Sequence, residues 1–98
     1  MRMMLKITIP TGPGNAAIKS GVLEKAMGET IGKTNAEAAY FTLENGQRTG
    51  FIFFDLADQT QMPSIGEPLF SAFDAKLELT PCMNGEDLQK GLAAWGGA

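Results

Sequence analysis

Ninety-eight residues, 44% of them hydrophobic, are enough for one compact domain with a modest core and too few for two independent ones. Eight basic against eleven acidic side chains give a net charge of −3, which repels a phosphate backbone, and the lack of any histidine excludes imidazole bases, His-ligated zinc and proximal-His haem. The lone Cys82 excludes an intrachain disulfide or a multi-cysteine metal site and suits a reducing compartment.

The first segment, "MRMMLKITIP", is interrupted by Lys6 and reads as a strand rather than a secretory leader. Nowhere does an apolar run approach the roughly 20 residues of a membrane span, so a cytoplasmic protein without membrane contact is expected. Within the strand Leu5, Ile7 and Ile9 alternate with Met4, Lys6 and Thr8, giving one core face. "TGPGN" reads as a plain connector, and Asn15 as the N-cap of one helix over residues 15–33 with the stripe Ile18, Val22, Leu23, Met27 and Ile31. Gly21, Gly28 and Gly32 each weaken that helix by up to about 1 kcal/mol relative to alanine.

"AAYFTLENGQRTGFIFFDL" carries Asn45-Gly46 between two apolar runs, the preferred pair for a two-residue type I′ hairpin turn. That turn fixes the register. Glu44 faces Gln47, Thr42 faces Thr49, Tyr40 faces Phe51, and Ala38 faces Phe53 on one side of the hairpin. Ala39, Phe41, Leu43, Gly50, Ile52 and Phe54 fall on the other, a plain core face apart from Arg48 near the turn. Arg48 and Glu44 are expected to form a solvated pair of little worth.

"ADQTQMPSIGEPLFSAF" has Met62, Ile65, Leu69 and Phe73 at helical spacing, with Asp58 or Thr60 as cap and a kink or break expected at Pro68. "DAKLELTPC" supplies a fourth strand with Leu77 and Leu79 inward, and Cys82 is expected to be a buried small hydrophobe. Asn84 caps a last helix whose stripe is Leu88, Leu92 and Trp95, expected to pack on the domain or on a partner.

The predicted string β-α-β-β-α-β-α over residues 1–98 makes an α+β fold of the ferredoxin-like, split βαβ kind. Its four antiparallel strands take the order 4-1-3-2, with both longer helices on one face. The other face carries Met4, Lys6, Thr8, Tyr40, Thr42, Thr49, Phe51, Phe53, Asp55, Lys76, Glu78 and Thr80 and has no cover. Its three rings expose about 450 Å². Covering them from both sides of a symmetric contact is worth at most about 20 kcal/mol. Association costs roughly 4 to 15 kcal/mol, so a homodimer is expected.

This element order, with a half-polar open sheet face and an extra terminal helix, resembles the dimeric α+β barrel superfamily, which includes muconolactone isomerases and small monooxygenases. The resemblance spans nearly the whole chain and rests on element order and patterning rather than on a motif. It implies that two open faces close into a barrel and that the terminal element reaches across to the partner. Members that depend on a histidine find no counterpart here.

Candidate chemistry concentrates on the open face. Lys6, Tyr40, Asp55 and Glu78 are its ionisable groups, with Lys6 expected between Glu78 and Asp55 and a carboxylate among aromatics as the base. Met4, Tyr40, Thr42, Phe51, Phe53 and Trp95 are the candidate ligand-binding or dimer residues. The expected function is a homodimer binding a small organic molecule in an apolar pocket, with neither cofactor nor metal. Its rivals are a cofactor-independent isomerase or monooxygenase and, less favoured, a module that stacks RNA bases on Phe51 and Phe53. An ion pair that fixes the dimer's register is favoured over catalysis for the ionisable cluster.

Overall fold

The β-pattern and the Asn-Gly turn organise the whole chain. In the computed structural model, which describes residues 1–97, the elements are β1 (Arg2–Ile9), α1 (Thr11–Ser20), α2 (Val22–Thr34), β2 (Ala38–Glu44), β3 (Gln47–Asp55), α3 (Met62–Phe73), β4 (Lys76–Pro81) and α4 (Gly85–Trp95). Four antiparallel strands form an open sheet in the order β2-β3-β1-β4. That is the predicted order; the sheet of the single chain does not close on itself.

Asn45 and Gly46 both take positive φ, 53° and 74°, as a type I′ turn requires. The register follows from them: Glu44 opposite Gln47, Thr42 opposite Thr49, Tyr40 opposite Phe51 and Ala38 opposite Phe53. Odd-numbered residues of β1 and even-numbered residues of β3 face the helices. Met3, Leu5, Ile7, Ile9, Ile52 and Phe54 are buried there against Ala17 of α1, Met27 of α2 and Ile65, Leu69 and Phe73 of α3. Each large apolar side chain removed from water contributes about 1.5–3 kcal/mol, so this one-sided core carries most of the fold's stability. Leu77 and Leu79 of β4 pack at its margin, as the alternation predicts.

Several local expectations are corrected. The single helix over 15–33 is two helices, broken where Gly21 adopts φ 80°, a left-handed conformation that L side chains rarely take. Asn15 is not a cap: α1 starts at Thr11, inside the stretch read as a connector. Pro13 stands third in that helix, where the backbone N–H has no partner to lose. Pro68 lies inside an unbroken α3. Asp58 does cap, through its side chain to Thr60, but what it caps is a 3₁₀ turn (Gln59–Gln61) leading into α3. Cys82 is half-buried rather than buried.

At the far end Asn84 and Asp87 form a reciprocal capping box that starts α4. Arg2 anchors that first turn, donating to Asp87 from Nη1 and to Glu37 from Nε at 2.7 Å. Beyond it α4 buries none of its residues, and Trp95 is 70% exposed. The radius of gyration, 15.5 Å, exceeds the roughly 13 Å of a compact chain this long, in keeping with a helix standing off the body.

Candidate functional site

The largest departure from a covered core face lies on β2. Phe41 and Leu43 point to the helix side, yet they are 58% and 75% exposed. β2 is the edge strand, and the helices stop short of it. Between that overhang and the α1–α2 break lies a cleft of about 400 Å³. Ile9, Ile18, Leu23, Met27 and Phe41 give it apolar walls, Gly21 sits in the wall at the helix break, and Glu24 and Arg48 supply its charges.

Two glycines set side chains that line this cleft by close approach. Gly50 lets Phe41 lie down on the sheet: a Cβ there would lie 3.1 Å from the Phe41 ring, so the ring lies directly over the β3 backbone. Gly14 makes the notch for Arg48, since a Cβ would fall 2.7 Å from Nη1 and 2.9 Å from the Ile9 side chain. The guanidinium thus passes against the α1 backbone, and its Nη2 donates to Asn15 Oδ1 at 2.8 Å. The expected Arg48–Glu44 pair does not form, because neighbouring register positions send the two side chains to opposite faces of the sheet.

On the open face, one row across the sheet holds Tyr40, Phe51, Lys6 and Glu78 in register. Lys6 Nζ donates to Glu44 at 2.5 Å, lies 3.8 Å from Glu78, and sits 6.0 Å from the centre of the Phe51 ring. Its ammonium is held above the ordinary lysine value, first by the hydrogen bond to Glu44 and then by the charges of Glu44 and Glu78, against a lowering by desolvation. It stays charged at neutral pH and offers no free lone pair as a base. Asp55 is not in this cluster. It stands opposite Arg2, four residues and roughly 13 Å along β3 from Phe51. Its carboxylate is 78% exposed and accepts from the Met1 amino group at 2.7 Å.

The remaining open-face residues divide by exposure. Met4, Phe51 and Phe53 are half-buried, Thr42 and Tyr40 are exposed, the latter at 66%, and Thr49, expected on the uncovered face, is buried. Lys6 shields Phe51, so the apolar area left to a partner is smaller than the three rings alone suggest. Trp95 on α4 does not line the cleft. Among the described residues no three His, Cys, Asp or Glu side chains converge to hold a metal ion, and no helix is long and apolar enough to cross a membrane.

Sequence reasoning sought a ligand on the open face; of its candidate ligand-binding residues only Thr42 also lines the helix-side cleft. One signal was present: Arg48 is a cation at a register position otherwise reserved for core side chains. Compared with known proteins, the chain matches no family model and no curated sequence.

Proposed function

We propose that this chain binds a small organic molecule in the helix-side cleft, as a homodimer paired through the open sheet face. The observation that carries the ligand reading is the cleft itself: about 400 Å³, walled by aliphatic and aromatic side chains with two charged groups at its margin. That is the size and lining of a small-molecule site. Catalysis by Lys6, Tyr40, Asp55 and Glu78, as an isomerase or monooxygenase would need, draws little support from a lysine locked between two carboxylates and an aspartate at the other end of its strand. Stacking of RNA bases on Phe51 draws little either, with Lys6 over the ring and Glu44 and Glu78 beside it.

Pairing of two copies has its own support. Tyr40 on the open face and Leu88, Leu92 and Trp95 on α4 are all large apolar side chains left exposed by the chain. The barrel arrangement of the dimeric α+β superfamily would cover both at once.

A thermal-shift screen of small apolar and amphiphilic molecules tests the ligand reading. A ligand at one hundred times its Kd adds about 2.7 kcal/mol, enough to raise Tm by several degrees. Phe41→Ser, a change at an exposed position, is expected to abolish the shift while leaving the unliganded Tm within a few degrees. Hits unaffected by that change would place binding elsewhere.

A further inference from the structure

The cleft's charges specify more than an apolar occupant. Three cations on the sheet are half-buried, and two of them are neutralised. Arg2 pairs with Glu37 and Asp87, and Lys6 pairs with Glu44 and Glu78. Arg48 has no carboxylate within 4.0 Å among the described residues; its protein acceptor is the neutral Asn15 amide. A guanidinium has five N–H donors in a planar fork, so most of this one's donor capacity is unspent at the edge of an apolar cavity. The position is fixed as well as unpaired, because Gly14 gives it a notch and Asn15 holds one arm.

Resting on the ligand reading above, we infer that the occupant is an amphiphilic carboxylic acid, its apolar body between Met27 and Phe41 and its carboxylate on the Arg48 guanidinium. A carboxylate matches the fork in two parallel hydrogen bonds. The walls of Ile18, Leu23 and Met27 take a hydrocarbon or aryl tail. Glu24 on the same cleft disfavours a second negative charge, which points to a monoacid rather than a diacid.

The test compares acids with matched alcohols on the intact protein: octanoate against octanol and phenylacetate against phenylethanol, by isothermal titration and thermal shift. The wild-type chain is expected to bind at least one acid roughly tenfold more tightly than its alcohol, the discrimination of one charge-assisted contact. In Arg48→Gln the acid's advantage should vanish while the alcohol's affinity changes less than twofold. In Gly14→Ala, which pushes the guanidinium out of its notch, the advantage should shrink with the charge still present. Equal binding of acid and alcohol by the wild type would overturn the acid assignment and leave the cleft reading standing. Binding of neither pair would overturn both. The wild-type comparison requires no variant to fold.

Discussion

Pro68 lacks the N–H that would close a hydrogen bond onto the Ser64 carbonyl four residues back, and here the Lys33 ammonium donates to that carbonyl from α2 at 2.5 Å. A neighbouring side chain thus supplies the donor that the proline lacks. Lys33→Met is expected to cost about 1 kcal/mol, a fall in Tm of about 4–8 °C, because the carbonyl then has only water. In a Pro68→Ala background residue 68 regains its N–H, and the same change at Lys33 should cost little. A double-mutant cycle by thermal unfolding reads the difference directly. Sequence could show the proline but not its remedy, because Lys33 and Ser64 are brought together only by the packing of α2 on α3. Arg48 is the opposite case. Its odd position on the core face was visible in the hairpin register, whereas the notch at Gly14 that receives it was not.

At the scale of elements, the hairpin was legible in full because Asn45-Gly46 admits few turns and a two-residue turn dictates every pair beyond it. The helices were legible as apolar stripes and not in their ends. Three glycines in residues 21–32 read alike in sequence, and only one of them is where the chain turns left-handed. That difference has opposite consequences. Gly21→Ala forces a side chain into φ 80° and should destabilise by about 1–2 kcal/mol, although nothing crowds the new methyl group. Gly28→Ala, in the interior of α2 with equally free space, should stabilise by about 0.5–1 kcal/mol. Chemical denaturation of the two variants checks both signs. Should Gly21→Ala match Gly28→Ala, the break between α1 and α2 would not be a conformational requirement. The edge strand β2 was misread in one respect: alternation assigned Phe41 and Leu43 to a covered face, but periodicity says which way a side chain points and not whether a helix reaches that far.

For the whole molecule, the two faces of the sheet differ in cover. The helix side holds a core that stops short of β2 and leaves the cleft. The open side, with α4 beyond it, leaves Tyr40, Leu88, Leu92 and Trp95 to water in the single chain. Light scattering across a dilution series is expected to give twice the monomer mass at micromolar protein, and Tyr40→Asp together with Trp95→Asp should return it to the monomer. A monomer at every concentration would remove the pairing, without touching the cleft. This difference between the faces was only half legible, since composition and register mark an uncovered face but cannot mark a gap between helix and edge strand.

The most direct measurement is an amide shift map of nitrogen-labelled protein titrated with octanoate. Perturbations gathered on Ile9, Leu23, Met27, Phe41 and Arg48, with Tyr40 and Phe53 unmoved, are the predicted result. Perturbations gathered instead on Tyr40, Lys6, Phe51 and Phe53 would contradict it, placing the ligand on the open face and leaving the cleft without a role.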